Sequence, residues 1–412
     1  MGMTMKPAWH RLSILWVPVV VAGCAASAPA PGTGPPADRW VATWAPAPQL
    51  TEPRNMPPAP GLGGNTLRQA LRVSLGGSRL RVHWSNEYGH SPMVIRAARL
   101  ARYNGGGAID PATDRTLTFN GKPGVTIPAG QVAVSDPMAF ELEPMADLAL
   151  TVWFGDVPSD LTGHPGSRTT SWIQPGNTVS APSMAAGVGT EHWYAVTGID
   201  VVAPRAAAVA ILGNSITDGR GSTTNGNDRW PDILSQRLRT DPATRQVAVL
   251  NLGTGGNCVL RACLGSAGLA RYQRDILDQP GVRWVIVLEG VNDIGGAQGA
   301  AASDSVAGGL IAAFQEMIDK AHARGLRIYG GTITPFGESF YASPEHEAAR
   351  ITVNDWIRSS GAFDAVIDFD AALRDPSDPT RLRAQADSGD HLHPNAEGHR
   401  LMGAAVPLTL FR

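Results

Sequence analysis

Two textures of apolar and polar positions divide the chain. From residue 38 to about residue 204, short runs alternate apolar and polar side chains. In Leu80-Arg81-Val82-His83-Trp84, the residues Leu80, Val82 and Trp84 share one face of an extended segment, the period-2 pattern of a strand with one side buried. Similar runs occupy 93–100, 125–127 and 148–154, separated by clusters of Gly, Pro, Asn and Asp. Short alternating strands with such turn chemistry predict a β-rich domain over 38–204, of β-sandwich or jelly-roll-like type.

After Pro204 the pattern becomes compact apolar runs alternating with amphipathic stretches of helical length. The runs at 206–212, 247–252, 284–288, 327–332 and 365–369 lack polar alternation, as expected of parallel strands buried on both faces. Helices are predicted at 230–239, 269–277, 303–324, 344–359 and 395–406. This order predicts an α/β domain over 205–412, a flavodoxin-like five-stranded parallel sheet flanked by helices. In such sheets reactive groups collect in loops at the carboxyl ends of the strands.

The first residues follow neither pattern. Lys6 and Arg11 precede an apolar run over 12–22, short for a membrane span, and the segment 1–23 reads as an export signal. It ends in Val21-Ala22-Gly23-Cys24, which resembles the bacterial lipobox; that resemblance implies cleavage before Cys24 and a lipid on its thiol. Residues 24–37, rich in Ala, Pro and Gly, predict a flexible linker. The expected location is therefore outside the cytoplasm, as a membrane-anchored lipoprotein on the periplasmic or cell-surface side or as a secreted protein. If Cys24 is acylated, Cys258 and Cys263 remain, five positions apart. They form either a disulfide or two small buried thiols.

Charge narrows the partners. The 34 basic and 36 acidic residues give a formal net charge of -2, without long like-charge blocks. Nucleic acid and an anionic membrane face are poor partners for such a surface. A neutral or polar small substrate fits better, with membrane contact only through the N-terminal lipid anchor.

Four segments after the predicted parallel strands carry candidate chemistry. Gly213-Asn214-Ser215-Ile216-Thr217-Asp218-Gly219 is either a capped turn or a small-residue elbow that lifts Ser215 toward a substrate. Asn251-Leu252-Gly253-Thr254-Gly255-Gly256-Asn257 is a tight connection or a loop whose backbone N–H groups approach a ligand oxygen; no Gly-Lys-Ser/Thr follows, which disfavours a nucleotide loop. Asn292, in Glu289-Gly290-Val291-Asn292-Asp293, is a turn residue or an amide donor aimed at developing negative charge. In Asp390-His391-Leu392-His393, the three-residue step lets the carboxylate hold the His393 imidazole as a general base. Metal binding by His-x-His or an exposed loop are the alternatives for that segment alone.

In this order and at these positions the four segments resemble the blocks of the SGNH hydrolase (GDSL-type esterase/lipase) family, over roughly residues 206–410. The resemblance implies Ser215 as nucleophile, with Asp390 and His393 completing a triad. It implies an oxyanion hole from the N–H groups of Ser215 and Gly256 and the side-chain amide of Asn292. Neither cofactor nor metal is expected. The family usually has Asp before the serine, where this chain has Asn214, a departure that bears on how the elbow is braced.

Arg229-Trp230-Pro231-Asp232, Trp40-Val41-Ala42-Thr43-Trp44 and Ser85-Asn86-Glu87-Tyr88-Gly89 are similar to a branch of the family with a β-rich domain ahead of the catalytic one. That branch includes carbohydrate acetyl esterases. The implied function is a serine ester hydrolase that removes short acyl groups, chiefly acetyl, from carbohydrate or similar polar esters. One alternative is a lipid-directed esterase or lysophospholipase. Another is a non-catalytic glycan-binding surface protein, encouraged by Asn214. Trp40, Trp44, Trp84, Trp153, Trp172 and Trp193 are candidates either for sugar stacking or for a sandwich core.

Overall fold

Alternation along the first half is resolved into antiparallel sheets. The computed structural model describes residues 1–3 and 38–412; residues 4–37, holding the apolar run of the expected leader, Cys24 and the linker, lie outside the described residues. Trp40–Trp44, Val196–Val202, Gly77–Ser85 and Met138–Leu142 neighbour one another in that order, and Val132–Val134 also pairs with Gly77–Ser85. A larger sheet is built on Val188–Thr190, Ser171–Gln174, Thr66–Arg72, Asp147–Phe154 and Met93–Gly105. Leu80, Val82 and Trp84 of the first sheet share one core with Leu67, Leu100, Leu150 and Val152 of the second.

The tryptophans divide unequally between the two readings. Trp44, Trp84, Trp172 and Trp193 are buried and serve the core. Trp40 and Trp153 are half-buried, with arginines over their rings. Among the described residues these six tryptophans therefore form no continuous exposed platform for sugars.

The second half forms a parallel sheet in the order Val247–Gly253, Ala207–Gly213, Val282–Leu288, Arg327–Gly331, Ala365–Ile367. This is the flavodoxin-like order, with its switch point beside the first strand. Successive side chains serve opposite faces: Ala208, Ala210 and Leu212 join the core shared with the antiparallel sheets, whereas Val209 and Ile211 pack beneath Trp230, Leu234, Leu238 and Met402. Both faces are thus covered, which explains the unbroken apolar runs. Residues 38–412 pack as one compact unit.

Element ends differ from expectation where side chains cap the backbone. The strand expected over 365–369 stops at Ile367, because the Asp368 carboxylate accepts the Ala371 N–H and starts the helix Phe369–Leu373. The helix expected over 269–277 is an α-helical turn, Gly268–Tyr272, that widens into π geometry over Gln273–Leu277. Two short helices, Ser215–Asp218 and Val291–Gly295, replace what periodicity alone leaves as loops. No helix of the described residues is long and apolar enough to cross a membrane.

Candidate active site

Ser215 stands at the first turn after the strand Ala207–Gly213. Asn214 shapes that turn: its side-chain oxygen accepts the Ile216 N–H at 3.0 Å, and its backbone oxygen accepts from Thr217 and Asp218. The Asn214 amide also donates to Glu289 Oε2 at 3.3 Å. Burial pushes the Glu289 carboxyl up to about 8, against the opposing charge of Arg271. An aspartate at 214 would set a second carboxyl beside this group, so the amide suits the neighbour it has. The bracing in doubt at the sequence level is thus made by a cap and a buried acid.

Ser215 Oγ lies 2.8 Å from His393 Nε2, and His393 Nδ1 lies 2.7 Å from Asp390 Oδ2. Asp390 Oδ1 accepts the N–H groups of His393 and Leu392 at 2.9 and 3.1 Å. Burial would raise the Asp390 carboxyl, but these hydrogen bonds and the imidazole outweigh it and hold it at about 2. His393 lies below its ordinary value; burial lowers it most, and the attraction of Asp390 recovers only part. The imidazole is thereby kept neutral and able to take a proton from the Ser215 hydroxyl.

The loop beyond Val247–Gly253 reaches the same place. Gly256 has φ 67°, and a Cβ there would come within 2.6 Å of Leu264, so a side chain is excluded on two grounds. Cys258 and Cys263 are joined in a disulfide, their Cα atoms 5.6 Å apart. Asp293 holds the loop by accepting from Val259 and Leu260 N–H groups at 2.8 and 3.0 Å. Asn292 donates one amide hydrogen to Asn257 O at 2.7 Å and accepts from Tyr341 Oη at 3.1 Å, leaving its second amide hydrogen for a ligand. Buried Arg271 ties the strand ends together, donating to Gly213 O, Leu252 O and Asn257 Oδ1.

Ser215, Gly256, Asn292 and His393 line one cavity of about 420 Å³. The structure brings Ser215, Asp390, His393, Gly256 and Asn292 together; the disulfide closes a neighbouring loop, and Cys24 is outside the described residues. The sequence reading missed the opposite wall, which the β-rich half supplies through Gln49, Arg54, Gly166 and Arg168. There His164 Nε2 meets Asp218 Oδ1 at 3.0 Å while His164 Nδ1 meets Ala47 O at 2.9 Å. Gly166 permits this packing, because a Cβ would lie 1.8 Å from Asp218 Oδ2. Only Asp218 had a signal, its place in the Gly213–Gly219 segment. Among the described residues no group of three or more His, Cys, Asp or Glu is placed to hold a metal ion.

Residues 211–401 match the model of the GDSL-like lipase/acylhydrolase family. Among solved structures, the chain is similar to a carbohydrate acetylesterase family member from Sinorhizobium meliloti, at 18% identity over 50% of this chain and 97% of that one, with a TM-score of 0.37. It is also similar to a GDSL-like lipase from Bacteroides thetaiotaomicron VPI-5482, at 19% identity over 48% and 84% of the two chains, TM-score 0.35. A lipase/acylhydrolase from Enterococcus faecalis gives 19% identity over 48% and 92%, TM-score 0.35. No curated protein matches the chain.

Proposed function

Because residues 211–401 form a GDSL-like lipase/acylhydrolase domain, making the protein a carboxylic ester hydrolase, we propose that it removes short acyl groups, chiefly acetyl, from carbohydrate or similar polar esters. The observation that carries this reading is the hydrogen-bonded chain from Ser215 through His393 to Asp390. In the proposed reaction Ser215 Oγ attacks the ester carbonyl as His393 Nε2 takes its proton. The N–H groups of Ser215 and Gly256 and the free amide hydrogen of Asn292 hold the oxyanion. His393 then gives the proton to the departing alcohol, and water, deprotonated by the same imidazole, releases the acid from Ser215. The leader and Cys24 support export and a lipid tether as part of the same proposal.

One observation favours a lipid-directed second reading: Leu264 and Phe340, which line the cavity, are 39% and 74% exposed. A p-nitrophenyl ester series from acetate to octanoate separates the two. The rate is expected to peak at acetate or propionate, and a maximum at octanoate would favour lipid esters instead.

The lowered His393 value has a direct consequence for pH. Only the neutral imidazole accepts the serine proton, so kcat/KM rises with pH as His393 loses its own proton. Burial shifts that loss downward, so the acid limb for p-nitrophenyl acetate is expected to have its midpoint below 6.5. Asp390, held at about 2, adds no limb near neutrality. A midpoint above 6.5 would count against this environment for the base.

A further inference from the structure

The inference here rests on the proposed hydrolysis of acylated sugars and concerns the alcohol part of the ester. The imidazole that took the serine proton must return it to the leaving oxygen, so the alcohol lies on the His393 side of the cavity. Arg168 and Arg220 line the same cavity as His393, and both oppose positive charge on it. Arg220 is exposed, with Nε 3.8 Å from Asp390 Oδ2.

Arg168 comes from the β-rich half and is held in place. Its backbone is left-handed, φ 53°, which is uncommon for a residue with a side chain. Its carbonyl accepts the Asn225 N–H at 2.8 Å, and its neighbours Ser167 and Thr169 are buried. The Arg168 Nε is buried with no hydrogen-bond partner. The nearest carboxylate to the guanidinium is that of Asp218, with Arg168 Nη2 4.0 Å from Asp218 Oδ2, and Asp218 is already engaged by His164. Arg54 also lines the cavity, where the remaining carboxylate, Glu52, accepts from Gln49 and Asn55. The guanidinium groups of Arg54, Arg168 and Arg220 thus line the cavity against the carboxylates of Glu52 and Asp218.

We propose that Arg168 binds a carboxylate on the leaving alcohol, with Arg220 as a second donor, so that the preferred substrates are O-acetylated acidic sugars. A guanidinium–carboxylate contact is worth a factor of about ten to a hundred in kcat/KM. The test compares an O-acetylated methyl glucuronoside with the matching O-acetylated methyl glucoside, which differ in carboxylate against hydroxymethyl. The wild-type protein is expected to favour the acidic sugar at least about tenfold. Arg168→Gln should bring that ratio close to one, Arg168→Glu should invert it, and Arg168→Lys should keep a measurable part. A wild-type ratio near one, or a ratio unmoved in Arg168→Gln, overturns the inference. So does faster turnover of an anionic lysophospholipid than of the glucuronoside. p-Nitrophenyl acetate carries no carboxylate: its turnover without an acidic-sugar preference faults this inference alone, whereas no turnover of any ester overturns the hydrolase reading and this inference with it.

Discussion

Ser215→Ala is expected to lower p-nitrophenyl acetate hydrolysis on the order of 10⁴-fold or more, because the proposed covalent route forms its acyl-enzyme on the hydroxyl that bonds His393 Nε2. Ser215 is the first residue of its helix, and its hydroxyl bonds His393 rather than the backbone. Alanine keeps the helix propensity and the N–H assigned to the oxyanion hole. The melting temperature should therefore stay within about 3 °C of wild type. Labelling by a fluorophosphonate probe should disappear in parallel. Turnover within about tenfold of wild type, with the fold intact, would remove Ser215 from the role; failure of the wild-type protein to react with the probe would favour the glycan-binding alternative.

His393→Ala should cost a comparable factor, since the hydroxyl then has no base and the departing alcohol no acid. The more discriminating measurement is the double variant. If Ser215 and His393 act as one unit, Ser215→Ala/His393→Ala should be no worse than either single variant within a few-fold. Multiplying losses would mean that the two side chains act separately despite their 2.8 Å contact. Asp390 makes this variant interpretable. It still accepts the N–H groups of residue 393 and Leu392, so its carboxylate is not stranded without partners when the imidazole is removed.

The antiparallel half has a part in the site that its sequence does not announce. It packs a loop against the helix that begins with the proposed nucleophile, through His164, Gly166 and Asp218. It also furnishes one wall of the cavity above Ser215. A ligand in the cavity would therefore meet side chains from both halves.

Much was legible along the chain. Unbroken apolar runs foretold the parallel strands because burial on both faces removes the polar alternation. That Asp390 and His393 sit side by side was legible because a three-residue step is a local geometry, whereas Ser215, Gly256 and Asn292 were singled out only by the order of four segments that together resemble one family. The tertiary structure alone decided what depends on distant segments. The His164–Asp218 contact spans 54 positions and the Ser215–His393 contact 178, and no periodicity encodes such a meeting. Asn214 looked like a weakness until Glu289, 75 positions away, was placed beside it. Arg168 carries no motif at all; it is picked out by its left-handed backbone and its place on the cavity wall. Local pattern determines which face of an element is buried, but which elements meet across a cavity is set by packing between surfaces that the chain order does not juxtapose.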